Sequence, residues 1–234
     1  MSSYSLHYST LTKKAIMAVV GLFLITFLFI HLGINLTLLI PGTESTADRE
    51  IFNKAAHFMT TFFVMQILEV VLFAGFLIHI IFGFIIQIQN WMARPQRYKV
   101  EGWSHTSVFS KFMIHTGIVI LIFLVIHLMD FYVKAKLLGD VPNVTYDGNT
   151  IHDLGALIVL KFKNGWFVIG YIVAFLMLAF HLDHAFQSAF QSLGLNHSKY
   201  MPFLKRLSDV IAILLGIGFT VIPLVIYFSK SIQV

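Results

Sequence analysis

The chain has 234 residues, 58% hydrophobic and 12% charged, with a mean hydropathy of +0.83, a balance that excludes an ordinary soluble domain. Its net charge of +5 suits anionic lipid or a partner at a membrane face, and no basic aromatic stripe points to nucleic acid. With no cysteine, thiolate-bound iron–sulfur clusters, covalent C-x-x-C-H haem and Cys zinc sites are excluded, so any metal centre must use His, Met or oxygen ligands.

Five apolar runs predict one membrane domain over residues 1–234, an all-α integral membrane bundle of five transmembrane helices. Helix I spans about 13–40 and ends near Pro41-Gly42. Lys13 and Lys14 precede it as they would a signal sequence, but the run is too long for a signal core and no small-residue cleavage site follows. Helix II spans about 55–92, longer than the ~20 residues a bilayer needs, and should protrude at one end. Helix III covers about 109–138, and helix IV about 163–193, ending near Gly194. Helix V covers about 207–229 and contains Pro223, tolerable where neighbours satisfy the freed carbonyl.

Orientation follows from Lys and Arg. With the N-terminus inside, the inner segments hold Lys13, Lys14, Arg94, Arg97, Lys99, Lys111, Lys199, Lys205 and Arg206. The outer ones hold Arg49, Lys54, Lys134, Lys136, Lys161, Lys163 and Lys230, which leaves a narrow bias toward that orientation. Trp91 and Trp103 then lie at the inner interface and Trp166 at the outer one.

Helices I to IV each carry a histidine well inside the apolar run: His31, His79, His127 and His181. An intramembrane ionisable residue is by default a functional candidate. At a rise of ~1.5 Å per residue, His31 and His127 lie ~15–16 Å below the outer ends of their helices, and His79 and His181 ~33 and ~27 Å below theirs. Two layers roughly 15 Å apart result, each drawing on two helices, as two haems with paired axial imidazoles require. Iron held this way has no open position, so it passes electrons and binds no substrate. Depth alone leaves the fourth ligand open among His181, His184 and His115. A packed, hydrogen-bonded histidine or a proton relay is the ordinary alternative for any one of the four.

Gly21 and Gly117 fall ten residues before His31 and His127, at the inner level, and Gly170 falls at the outer level. Small residues there let a macrocycle approach the backbone, or simply let helices pack closely, the reading slightly favoured.

Several motifs follow these histidines in order: His31-Leu32 with Asn35; Leu68-Glu69 followed by His79 and Gly83; His127-Leu128 with Asp130-Phe131; and Phe180-His181 followed by Ser188 and Gln191-Ser192-Leu193-Gly194. Over its whole length the chain resembles the cytochrome b subunit of succinate dehydrogenases and fumarate reductases, in the five-helix, two-haem form. The resemblance implies His181 as the fourth ligand, pairing with His79 at an inner, proximal haem b, while His31 and His127 hold an outer, distal one. It implies a membrane anchor in the cytoplasmic membrane of a prokaryote. Electrons would pass between an iron–sulfur subunit and quinone, with menaquinone expected. FAD and the clusters would lie on partner flavoprotein and iron–sulfur subunits, docked at the inner end of helix II and the 94–111 loop. It leaves room for a dimer of the whole complex, and no dehydrogenase active site belongs to this chain. Some members carry a transmembrane proton-path glutamate two residues before the helix IV ligand, where this chain has Ala179.

Quinone-site candidates are Glu69, His57, Glu50 and Glu44 toward the outer end, and His105, Ser104, Lys111, His115 and Gln87 toward the inner. Glu69, costly in a membrane at roughly 2.5–3.5 kcal/mol, needs a partner or a purpose. It is read either as a proton-exchanging or haem-supporting group or as a protonated carboxyl bonded to a neighbouring helix. Asp130 reads as a solvated end of helix III, Asn35 as a packing residue able to bond across helices, and Asp183 and His184 as groups that interact with each other or with the partner subunit. Two other functions fit the same residues: a cytochrome b of a hydrogenase or formate dehydrogenase type, and a haem-free proton-coupled transporter, against which no repeated half is apparent.

Overall fold

The computed structural model describes residues 10–40, 49–92 and 112–229. Seven α-helices dominate: α1 (Thr10–Leu36), α2 (Glu50–Thr61), α3 (Phe63–Met92), α4 (Met113–His127), α5 (Leu154–Phe162), α6 (Gly165–Ser192) and α7 (Met201–Phe228). Five segments are long and apolar enough to cross a membrane: Leu11–Leu39, Phe63–Met92, Met113–Leu138, Gly165–Ser192 and Met201–Phe228. The chain is thus an all-α, multi-pass membrane protein. On α3, Phe63, Val70, Leu77 and Phe84 recur every seven residues along an exposed face that only lipid or another apolar surface can cover.

The helices differ from the expected spans in informative ways. Helix I closes with a 3₁₀ turn at Thr37–Leu39. The expected helix II is two helices, broken at Phe62, whose backbone is extended (φ −70°, ψ 126°). The Thr60 hydroxyl donates to the Ala56 and His57 carbonyls and the Thr61 hydroxyl to that of His57. The Gln66 side-chain amide then covers the Thr60 carbonyl that the break leaves without its helical partner, at 3.2 Å. Part of the expected length of helix II is therefore the separate α2, and the 30-residue span Phe63–Met92 still exceeds the ~20 residues a bilayer needs. Beyond His127 the chain continues as an eleven-residue π-helix, Leu128–Leu138. Helix V begins at Met201, six residues early, with Pro202 in its first turn, where the missing N–H costs nothing. It runs unbroken through the buried Pro223. The Lys163 ammonium caps its far terminus through the Ile226 and Ser229 carbonyls at 2.8 and 2.7 Å.

Between helices III and IV lie a hairpin and a short helix that no span accounts for. Strands β1 (Asn143–Tyr146) and β2 (Asn149–His152) pair antiparallel, with Tyr146 opposite Asn149. Asp147 and Gly148 form the two-residue turn at φ 51° and 79°, left-handed values that Asp-Gly adopts at low cost. The hairpin leads into α5, whose Gly155, Ala156, Leu157, Ile158 and Val159 are all buried. Asp153 caps α5 by accepting from the Ala156 N–H at 2.9 Å, and it binds Arg49 and Asn53 of the α2 region at 3.2 and 2.8 Å. Asn53, fully buried, also accepts from the Gly155 N–H and donates to the Tyr146 hydroxyl. Gly155 is required here, since a Cβ would come within 2.8 Å of the Arg49 side chain. Together α2, the hairpin and α5 form a cap over one end of the bundle, called below the cap end; the opposite end holds the start of α1.

Lys54 ties the cap rim to Asp147 at 2.7 Å and to Glu50 at 2.6 Å. The two carboxylates hold the Lys54 ammonium above its ordinary pKa, and Lys54 holds the Asp147 carboxyl below the usual range. The stabilisation is therefore present between the ordinary carboxylate and ammonium pKa values. It fades as pH falls through the lowered Asp147 value or rises through the raised Lys54 one. Thermal melts of Lys54→Met against the parent should show a small deficit at neutral pH that vanishes in acid and in about 1 M salt, where charges are screened within roughly 3 Å.

In the bundle, α1 packs along α3 and α6, α4 packs along α6, and α3 meets α4 only lightly. The four form a square in the order α3, α1, α6, α4, with α7 outside against α6 and α1. The hydrophobic core is lopsided. Ile25 and Leu32 of α1, Phe175 and Leu182 of α6, Leu215 and Phe219 of α7 and Ile158 and Val159 of α5 fill one side. By contrast α4 buries no side chain and α3 only Gly75 and Ile86. Helices α3 and α4 thus contribute little to the buried core.

Candidate haem sites

The histidines meet across the diagonals of that square. His31 on α1 faces His127 on α4, ring centres 5.8 Å apart at 90°. His79 on α3 faces His181 on α6, ring centres 6.2 Å apart at 70°. Two axial metal–nitrogen bonds of about 2 Å, with ring centres about 1 Å behind each nitrogen, separate paired imidazoles by roughly 6 Å. Both pairs stand at that separation without further motion.

The glycines give the spacing of the pairs. A Cβ on Gly21 would meet the His79 ring at 3.7 Å, and one on Gly117 the His181 ring at 3.6 Å. Gly21 precedes His31 by ten residues and Gly117 precedes His127 by ten, so the pairs are ~15 Å apart along both α1 and α4. No neighbouring helix lies within 4 Å of either Cβ position except through that imidazole. These two glycines therefore border open space beside a histidine ring, not a closely packed neighbouring helix. Gly170 has nothing within 4 Å.

Hydroxyl groups hold two of the four rings. The Thr116 Oγ1 lies 3.2 Å from His181 Nδ1, and the Tyr171 hydroxyl 3.3 Å from His127 Nδ1. Aromatic side chains pack around the His127 pair: Phe123 and Phe131 against His127, Phe27 and Phe219 against His31. His79 Nδ1 is buried with no hydrogen-bond partner among the described residues. A buried, unpartnered imidazole nitrogen is costly unless something else engages the ring. The donor set, the separation and the open space beside Gly21 and Gly117 fit a haem at each level, whose macrocycle would supply the other four iron ligands.

The remaining sequence candidates are distributed as follows. His115 is exposed against Phe112 and His184 is half-buried, and neither faces His79. Asp183 accepts from the Ser208 hydroxyl at 2.8 Å and the Gln187 amide at 3.2 Å, and it lies close enough to His184 for their charges to interact. Asn35 bonds back to the His31 carbonyl at 2.7 Å on its own helix. Asp130 is not a solvated end: it pairs with Lys161, both largely covered. Glu69 accepts from the Tyr132 hydroxyl at 2.5 Å and pairs with Lys136. It thus ties α3 to the π-helix through both partners. Its partner Lys136 also lines a cleft of about 190 Å3 with His57, Thr60, Ala135, His152 and Leu154. His57 is therefore brought near Glu69, whereas Glu50 pairs with Lys54 and does not line that cleft. Gln87 lies on α3 toward the end away from the cap. Glu44 and the whole 94–111 loop, with Trp103, Ser104, His105 and Lys111, lie outside the described residues. Ala179 abuts α7, where a Cβ on Gly216 would stand 3.0 Å from it, so a longer side chain at 179 would push the helices apart.

Thr116 and Tyr171 were not evident from sequence, though each adjoins a glycine of the pattern, Gly117 and Gly170, three turns from the histidine of its own helix. No family model, curated protein or solved structure matches the chain.

Proposed function

We propose that the protein is the dihaem cytochrome b membrane-anchor subunit of a succinate:quinone oxidoreductase. The observation that carries the haem assignment is the crossing of two histidine pairs on the two diagonals of one four-helix square, ~15 Å apart. His31 and His127 would hold one haem b and His79 and His181 the other. When bound, the two haems would supply one-electron carriers stacked across the span.

The assignment to succinate:quinone oxidoreductase rests on the sequence resemblance, with FAD and iron–sulfur clusters on partner subunits. Lys13, Lys14, Lys199, Lys205 and Arg206 gather at the end away from the cap, and no ion pair engages them among the described residues. That basic end suits a docked partner and, with the N-terminus inside, faces the cytoplasm of a prokaryote. Glu69, Lys136 and His57 at the cap end are the groups available to exchange protons with a quinone such as menaquinone.

The test is to purify the chain with its native partners and assay pyridine haemochrome and covalent flavin. Two haems b per chain with a flavoprotein is the expected result. Two haems with a nickel or molybdenum subunit would redirect the assignment, and no haem, in cells supplied with haem, would end it. The glycines offer an independent check. Gly117→Ala should keep two haems, because its methyl reaches only ordinary contact with His181. Gly117→Leu should keep the helix, since leucine favours it by roughly 1 kcal/mol over glycine, yet lower haem to one per chain by filling the space beside that ring.

A further inference from the structure

Helices α4 and α6 exchange more than ligands. His127 on α4 meets the Tyr171 hydroxyl of α6, and His181 on α6 meets the Thr116 hydroxyl of α4. Each helix thus carries one histidine and, three turns away, the hydroxyl that reaches the histidine of the other. The chemistry of Thr116 fixes the direction of its bond. Its hydroxyl proton lies on the Met113 carbonyl at 2.9 Å, the usual helical back-bond of threonine. Oγ1 is left with lone pairs, an arrangement that favours His181 Nδ1 carrying the proton and donating it. Nε2 is then the unprotonated nitrogen. Tyr171 is buried among Phe123, Phe167 and Phe175, which hold its ring and so fix the hydroxyl beside His127. No such hydroxyl reaches His79, whose Nδ1 has no partner among the described residues.

We propose that Thr116 and Tyr171 are reciprocal positioning residues: each accepts a hydrogen bond from the Nδ1–H of the histidine on the opposite helix, fixing the tautomer that presents Nε2 to the metal. This rests on the dihaem reading for its effect on iron, though the tautomer itself does not require haem. A ligating imidazole that donates its second N–H becomes a stronger base. A stronger base favours ferric over ferrous iron and lowers the potential. Thr116 thus acts on the haem of His79 and His181, and Tyr171 on that of His31 and His127.

The experiment compares Thr116→Val, Thr116→Ser and Tyr171→Phe with the parent, all as full-length complex. Redox titration should move one haem per variant upward, by a roughly tenfold loss of ferric preference, about 59 mV for one electron. Thr116→Val moves the haem that His181→Ala removes, Tyr171→Phe moves the other, and Thr116→Ser restores the parent value. A second readout uses the haem-free chain labelled with 15N-histidine: the His181 resonance, identified by its loss in His181→Ala, should report Nδ1–H in the parent and lose that preference in Thr116→Val. An unchanged tautomer overturns the proposal, as does a shift of the wrong haem or of neither. A parent chain that binds no haem defeats the dihaem reading instead, and the tautomer measurement still judges Thr116.

Discussion

On the proposed dihaem reading, replacing His181 with alanine should lower the haem b content from two per chain to one and leave the other haem with its parental spectrum. The two levels are ~15 Å apart and share no ligand, and sites more than about 7–10 Å apart with no shared partner behave independently. The side chains that hold the bundle together, Leu182 and Phe186 among them, point into the core on the α1 and α7 side and are untouched by the change. His79→Ala should behave the same way, whereas His31→Ala and His127→Ala should remove the other haem. The discriminating controls are His184→Ala and His115→Ala, both of which should keep two haems. Pyridine haemochrome analysis with low-temperature spectra of all six variants reads the result. Loss of haem in His184→Ala with retention in His181→Ala would reassign the fourth ligand, and loss of both haems in every variant would mean that the levels fold as one unit.

Why depth alone left that ligand open follows from one helix boundary. Hydropathy runs without a dip through Phe58, Phe62 and Phe63, so helix II was measured from residue 57. The break at Phe62 comes from the Thr60, Thr61 and Gln66 side chains bonding to backbone, which an apolarity profile does not register. Counted from Phe63, His79 lies 16 residues into α3, and counted from Gly165, His181 lies 16 residues into α6, both ~24 Å. His184 is three residues deeper. The five spans were legible because a run of Leu, Ile and Phe longer than a bilayer is thick has few other uses. Asp147-Gly148 between Tyr146 and Asn149 carries the hairpin signal in sequence, but it lies between spans, where an apolarity profile marks no element. Other contacts were beyond reach. Glu69 with Lys136, Asp130 with Lys161 and Thr116 with His181 join residues 31 to 67 positions apart. A π-helix turns the first two pairs toward each other, and helical periodicity alone would have aimed those side chains elsewhere.

The cap should be the point at which a single polar substitution does most damage to stability. Asp153 and Arg49 form an ion pair with side chains only 8% and 10% exposed. The same carboxylate accepts from Asn53 and caps α5 at Ala156. Removing one member of a buried pair costs about 3–5 kcal/mol, because the charge that stays behind has lost its counterion. Asp153→Ala should fall in that range, with loss of the helix cap contributing about 1 kcal/mol of it. Asp153→Asn keeps an oxygen for the Ala156 N–H and should recover the cap but not the ion pair. Detergent-solubilised thermal unfolding measures the total, and hydrogen exchange at the Ala156 amide separates the cap from the ion pair. Fast exchange is expected in Asp153→Ala, and slow exchange in the parent and in Asp153→Asn. The amide of Gly155 bonds to Asn53 rather than Asp153, so its exchange tells whether α2 has come away. If α2 stays in place and the melting temperature is unchanged, the hairpin and α5 are held by apolar burial of Ile158, Val159 and Phe162 alone, and the polar lock sets only the angle at which α2 crosses the bundle.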